Sequence, residues 1–243
     1  CPAGSECSDP AVAPVACGSL TFALAGATAC STCPAGKSCA STSTAPVDCA
    51  SGTYALAGWG VCHVCPAGAS CADPTLAPTD CLAGRFSRGG ATSCDECAVG
   101  RFTTASASLT CQACPAGSGC SDPAAAPVPC AAGRYSWTGD VACTECPLGR
   151  FTTGTGSTTC DLCPAGHECA DPSVTPTLCA QGFYSEGGLA ACRPGPMSTR
   201  SSATRERCEP CPAGVDCGVP TDPTVPCAAG TYSYVGAEST LQC

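Results

Sequence analysis

The feature that most constrains this chain is a cysteine spacing that recurs along it. From Cys33 it reads CPAGKSCASTSTAPVDCASGTYALAGWGVCHVC, with cysteines at 33, 39, 49 and 62, and Cys65 opens the pattern again. The same intervals place Cys1, Cys7, Cys17 and Cys30 before this stretch and Cys65, Cys71, Cys81 and Cys94 after it, a period of 32 residues. A fixed period of this kind reads as tandem modules that contact mainly their neighbours. The predicted organisation is long repeats at 1–32, 33–64 and 65–96, a short repeat at 97–113, a long one at 114–145 and a short one at 146–162. A fifth long repeat with a degenerate short repeat fills 163–210, and a sixth long repeat fills 211–243.

Composition says what must hold such modules together. There are 29 cysteines in 243 residues, together with 28 Gly, 23 Pro and no Ile. Too little aliphatic surface is available to offset the entropy of ordering the chain, so cross-links must do it. The predicted fold class is therefore small disulfide-rich repeats, an elongated rod or superhelix of tandem modules with short β-hairpins and almost no helix. Disulfides persist in oxidising compartments, which places the chain on the secretory pathway, extracellular or at the cell surface. The net charge of −9, with Lys37 the only lysine, argues against nucleic acid as a partner. No apolar run approaches a membrane span. The chain begins and ends on cysteines without a starting Met, and reads as a fragment of a longer extracellular protein. Asn is absent, so O-linked glycans are the glycosylation left open, most densely at Ser41-Thr42-Ser43-Thr44-Ala45-Pro46.

Each long repeat has two halves. The first reads CPAG-x-x-C and then, in most units, an Asp-Pro step, as at Asp9, Asp73, Asp122 and Asp171, which predicts a turn followed by extended chain. The second reads C-x-x-G-x-aromatic-Ser/Thr and predicts a tiny hairpin with Gly52, Gly84 or Gly133 at its turn. Its aromatic, one of Phe22, Tyr54, Phe86, Tyr135, Tyr184 and Tyr232, or Phe102 and Phe151 in the short repeats, is expected to cover a disulfide as core. The alternative is a carbohydrate-stacking ladder.

Spacing alone leaves connectivity open. In the short repeats local pairs, Cys97–Cys111 and Cys146–Cys160, are the simplest closure. For the long repeats the preferred scheme is interlocked, first to third and second to fourth: Cys33–Cys49 and Cys39–Cys62. Its counterparts are Cys1–Cys17 with Cys7–Cys30, Cys65–Cys81 with Cys71–Cys94, Cys114–Cys130 with Cys120–Cys143, Cys163–Cys179, and Cys211–Cys227 with Cys217–Cys243. The rival, Cys33–Cys39 with Cys49–Cys62, leaves two independent loops without a covalent clamp. An odd cysteine count leaves one thiol over, and the ruler slips after Cys192, where Gly195 stands in place of a cysteine. Either Cys169–Cys192 forms and Cys208 is unpaired or intermolecular, or Cys192 pairs with Cys208 and Cys169 is left over.

Seven Cys-x-x-Cys pairs, such as Cys94/Cys97 and Cys111/Cys114, have zinc-ribbon spacing, but they recur at the joints between repeats and belong to the same ruler. No βαβ pattern surrounds any of them, as a thioredoxin-type site requires. The two histidines, His63 and His167, have no triad or ligand partners in sequence, and the acidic residues are scattered singly. No catalytic residue, metal site or cofactor is expected, and the chain is not read as an enzyme.

The CPAGxxC, CxxGxYS and joining CxxC motifs resemble the ephrin-receptor-like cysteine-rich repeats, over essentially the whole chain. The alternation of one- and two-disulfide units is also similar to tumour necrosis factor receptor modules, and this resemblance implies the interlocked pairing. It further implies a non-catalytic extracellular module. The expected function is a structural one, an extended disulfide-stapled spacer in a filament, wall or flagellar-hair-like appendage, partnered by copies of itself or by other filament or matrix subunits. The alternative is a ligand- or glycan-binding ectodomain of a receptor or adhesin, for which Trp59, Trp137 and the basic stretch Arg193, Arg200, Arg205 and Arg207 are the candidate contacts.

Overall fold

The computed structural model describes residues 1–217, 225–227 and 229–236. They form two compact units, Cys1–Ala113 with Cys120–Ala126, and Cys114–Gly119 with the described residues from Pro127 onward. Both are assembled from one small motif.

The motif opens on a Cys-x-x-Gly turn. In the first unit the Ala69 N–H donates to the Pro66 carbonyl at 3.2 Å and the Thr53 N–H to that of Ala50 at 3.0 Å. Gly68 and Gly52 occupy the third position of these turns with φ of +85° and +77°. A type II turn requires positive φ there, which is why glycine closes each CPAG and CxxG. A Cβ on Gly52 would in addition run into the Gly90 carbonyl.

The turn feeds a two-residue strand that pairs antiparallel with a returning one: Lys37–Ser38 with Val47–Asp48, then Thr53–Tyr54 with His63–Val64. The returning strand delivers the next opening cysteine, whose N–H donates back to the turn glycine. Cys49 reaches Gly36 at 2.8 Å and Cys65 reaches Gly52 at 2.9 Å; in the second unit Cys146 reaches Gly133 at 2.9 Å and Cys163 reaches Gly149 at 2.8 Å. Both halves of a long repeat and the short repeat are thus one hairpin motif, restarted every 16 or 17 residues. Among the described residues there are fourteen such two-stranded sheets and no helix, so sheet ladders alone leave most backbone groups to find partners elsewhere.

They find them in a second ladder between successive hairpins of each unit. Gly36 N–H donates to Ala55 O at 2.8 Å, and Ala55 N–H to Pro74 O at 3.0 Å. In the second unit Gly133 donates to Thr152 at 2.8 Å and Thr152 to Pro172 at 2.9 Å. Close stacking of this kind leaves room between hairpins only for small groups. Apart from Ala69 and Ser202, the described side chains excluded from solvent are half-cystines, including Cys33, Cys65, Cys81, Cys130 and Cys179, and the residue that follows each aromatic: Ala23, Ala55, Ser87, Thr103, Ser136, Thr152, Ser185 and Ser233.

This corrects the expected role of the aromatic rings. Phe22, Tyr54, Phe86, Phe102, Tyr135, Phe151 and Tyr184 are half-exposed and Tyr232 is exposed. Neighbouring residues of an extended strand face opposite ways, and here the small one faces the stack. At Ser87, Ser136 and Ser233 the hydroxyl bonds the preceding hairpin, donating to Ala69 O at 2.7 Å, Ser118 O at 2.8 Å and Val215 O at 3.0 Å.

The interlocked disulfides are also corrected. In place of Cys33–Cys49 and Cys39–Cys62, the bonds are Cys33–Cys39 and Cys49–Cys62. The same local scheme gives Cys1–Cys7 with Cys17–Cys30, and Cys65–Cys71 with Cys81–Cys94. In the second unit it gives Cys130–Cys143, Cys163–Cys169 with Cys179–Cys192, and Cys211–Cys217. The short repeats close on themselves through Cys97–Cys111 and Cys146–Cys160. Cys114, Cys120 and Cys227 are also disulfide-bonded, while Cys243 lies outside the described residues. The cause is the turn: reversing the chain at Gly36 brings the Cα atoms of Cys33 and Cys39 to 5.9 Å after six residues. The clamp between the halves, expected of an interlocked pair, is made by hydrogen bonds instead. Cys39 N–H donates to Gly60 O at 2.7 Å and Gly58 N–H to Cys33 O at 2.8 Å. In the first and fifth long repeats a glutamate joins in, Glu6 accepting from Cys30 N–H at 3.0 Å and Glu168 from Cys192 N–H at 3.2 Å.

Candidate functional site

Three groups of residues stand apart from the repeated framework. The first is the break near residue 195. Gly195 occupies the place of an opening cysteine: its N–H donates to Gly182 O at 2.7 Å, as Cys146 does to Gly133. Ser198 takes the place of the turn glycine with φ of +65°, and its carbonyl accepts from Cys211 N–H at 3.0 Å. A Cβ on Gly195 would lie 2.9 Å from Cys208 Sγ. Cys208 is a free thiol because the cysteine that would close this short repeat is a glycine. Cys169, the other candidate, is bonded to Cys163, and Cys192 to Cys179 rather than to Cys169 or Cys208.

The arginines around this break do not form an open basic patch. Arg200 lies 3.9 Å and Arg207 3.7 Å from Glu209, and Arg205 donates through Nη1 to the Cys179 carbonyl. Arg193 lies in a strand opposite Tyr184 and is exposed.

Exposed rings form the second group. Trp59 is packed at its hairpin tip, its ring centroid 5.5 Å from Tyr54 and 4.7 Å from His63. His63 is thereby a ring partner, and His167 has Nδ1 at 3.0 Å from the Ala165 carbonyl. Among the described residues Trp137 has one ring partner, Tyr135, at 5.6 Å and 70°, and it is 63% exposed. Beside them opens a cavity of about 210 Å³ lined by Tyr135, Trp137, Pro147, Arg150, Thr159 and Cys160.

The third group, which sequence reasoning missed, is the residue between each turn glycine and its aromatic. Arg85, Arg101, Arg134 and Arg150 all hold this place and donate through Nη1 to Cys94, Cys111, Cys143 and Cys160 carbonyls at 3.4, 3.0, 3.2 and 2.9 Å. Arg85 and Arg134 also pair with the carboxylates directly across the hairpin, Glu96 and Glu145. Arg101 and Arg150 face Ala113 and Leu162 and, among the described residues, have no such partner. The recurring Gly-Arg-aromatic triplet was the available signal.

The Asp-Pro steps serve the framework. Asp73 Oδ1 accepts from the Thr75 hydroxyl at 2.6 Å and its N–H at 2.8 Å, and Asp171 does the same with Ser173. The side-chain hydroxyl and then the amide hold both carboxyls below the ordinary 3.8.

Apart from Cys208/Cys211, where Cys208 is free and Cys211 bonds Cys217, the Cys-x-x-Cys pairs divide between separate disulfides, as Cys94 bonding Cys81 and Cys97 bonding Cys111, so those sulfurs are not thiolate ligands for zinc. Among the described residues no His, Cys, Asp and Glu cluster has metal-site geometry, and no helix is long and apolar enough to cross a membrane.

Residues 133–179 match the family described as tyrosine-protein kinase ephrin type A/B receptor-like. The match begins at turn glycine Gly133, crosses the short repeat closed by Cys146–Cys160 and ends on Cys179, entirely within the second unit. It is similarity to a cysteine-rich, non-catalytic module kind, and with the disulfides it points to an extracellular location. No curated protein matches the chain.

Proposed function

We propose that the chain is a non-catalytic structural spacer of a larger extracellular or surface protein, part of a filament, wall or flagellar-hair-like appendage. One observation carries the reading: each disulfide of known pairing closes a loop of a single hairpin, with separations of 6, 13 or 14 residues. Tension applied along such a chain passes from cystine to cystine, and each hairpin resists it separately. The partners under this reading are further copies or other matrix subunits, and the Ser41–Pro46 stretch is the proposed acceptor for O-linked sugar.

The test is assembly of the purified, disulfide-intact chain at extracellular pH and salt, followed by sedimentation and electron microscopy. Ordered self-association, or incorporation into a parent filament, is the expected result. A chain that stays monomeric and is taken up by neither would overturn the spacer reading.

A further inference from the structure

We propose that the cleft framed by Tyr135, Trp137 and Arg150 binds a carboxylated pyranose, the kind of sugar residue found in uronic and sialic acids. The site is independent of the spacer reading and lies wholly within the second unit.

Trp137 is not there for the fold. The position two residues after the hairpin aromatic holds Leu24, Leu56, Arg88, Glu186 and Tyr234 in the other long repeats, so the framework accepts apolar, basic, acidic and aromatic side chains alike. Placing an indole there, 63% exposed, keeps a large apolar surface in water. Trp59, 36% exposed, is occupied by Tyr54 and His63; among the described residues Trp137 has one ring partner, Tyr135, set edge-on at 70°, which braces the indole. Ring faces presented in this way suit the C–H face of a sugar ring.

Arg150 supplies the charge selectivity. Its Nη1 is anchored on the Cys160 carbonyl at 2.9 Å, within a hairpin closed by Cys146–Cys160. Across the strand stands Leu162, where Arg134 has Glu145. In a chain of net charge −9, this guanidinium is anchored by that bond and, among the described residues, makes no ion pair with a carboxylate. A planar guanidinium binds a carboxylate in two parallel hydrogen bonds, and an anchored one gives up little entropy in doing so. The cleft of about 210 Å³ has the size of a single sugar ring, and Thr159 adds a hydroxyl at its rim.

The first unit contains the control. There a long repeat is likewise followed by a short one, with Phe86, Arg88 and Arg101 at the places of Tyr135, Trp137 and Arg150. Arg101 likewise faces no carboxylate across its strand, but Arg88 removes the indole wall, so among the described residues the second unit carries the complete site.

The experiment titrates the full chain with three probes: an α-1,4-linked trigalacturonate, its methyl ester, and 3′-sialyllactose. Tryptophan fluorescence and calorimetry report binding. Quenching by either acidic sugar supports the site, galacturonate pointing to a matrix polysaccharide and sialyllactose to a glycoprotein glycan. Trp137→Arg, which copies Arg88, should abolish the response, while Trp59→Phe should leave it. Arg150→Gln should weaken acidic-sugar binding about tenfold or more and erase the preference for acid over ester. An unchanged disulfide map in each variant shows that the framework has folded. The proposal is overturned if neither acidic sugar binds, if the ester binds as tightly as the acid, or if Trp137→Arg retains binding. Displacement of the sugar at equal affinity by an acidic proline-containing peptide would overturn the sugar assignment as well.

Discussion

Local disulfides make a mechanical prediction that separates them from the interlocked alternative. In the repeat from Cys33 to Cys65, a chain pulled from its ends and fully unfolded is still short-circuited at two places. The cystines span 5.9 and 5.6 Å between Cα atoms. The free chain makes ten Cα-to-Cα steps from Cys39 to Cys49 and three from Cys62 to Cys65. At about 3.5 Å per extended step these contribute roughly 35 and 10 Å, giving a limit of about 57 Å for the repeat. Reduction frees all 32 residues and raises the limit to roughly 110 Å. Had Cys33 bonded Cys49 and Cys39 bonded Cys62, the shortest covalent path would use six Cα steps, one cystine and three further steps, a limit of about 37 Å. Single-molecule stretching of the three repeats between Cys1 and Cys97, before and after reductant, reads these lengths directly. A contour length per repeat near the lowest value, or one that does not about double on reduction, would falsify the local scheme and with it the load path argued for a spacer.

The break at 195 gives a second expectation. Gly195→Cys should bond Cys208, removing the alkylatable thiol and stabilising the repeat by about 3 kcal/mol for a loop of this size; a thiol still alkylatable in the folded variant would show that Gly195 does not stand in the cysteine's place. Two glycines with positive φ should respond differently to alanine. Gly139 has open space around its Cβ direction, so Gly139→Ala meets only the backbone penalty of about 1–2 kcal/mol, whereas Gly52→Ala also collides with the Gly90 carbonyl and should cost clearly more in a denaturant titration. Equal losses would remove the argument for close stacking. Asp73 and Asp171 are held below 3.8 by Thr75 and Ser173, so their contribution is present above that value and disappears as pH falls through the lowered folded-state pKa. Carbon-detected titration should place both midpoints below that of a free Asp and move Asp73's upward in Thr75→Ala; an unmoved midpoint would sink the assignment.

The architecture was readable because its two signals are backbone requirements. A glycine with positive φ and a half-cystine admit few substitutes, so Cys-x-x-Gly survives in nearly every hairpin and marks the period. Connectivity was not readable, because intervals of 6, 10 and 13 residues suit both schemes. What decides it is a type II turn and the Cys39–Gly60 and Gly58–Cys33 hydrogen bonds, none of which has a sequence signature beyond the glycine. The core residue was overlooked for a different reason. Aromatics draw the eye, yet the place beside them is restricted to Ala, Ser or Thr in every repeat from Ala23 to Ser233, and that restriction to small side chains is the mark of a position between stacked backbones.

That contrast also says where function can reside in a repeat protein of this kind. Positions fixed in size or backbone angle, such as Ser136 and Gly133, answer to stacking and cannot drift without loosening the neighbouring hairpin. The place of Trp137 answers to nothing in the framework, since Leu, Arg, Glu and Tyr all occupy it elsewhere. The same holds for the residue across the strand from each Arg, which is Glu145 for Arg134 and Leu162 for Arg150. A repeat protein of this kind can therefore acquire a specific contact by changing two side chains on one hairpin pair while every disulfide and turn stays in register. The coincidence of an exposed indole and an unneutralised guanidinium on the same cleft is what singles out the Tyr135–Arg150 region from its counterpart at Phe86–Arg101, where one of the two changes is missing.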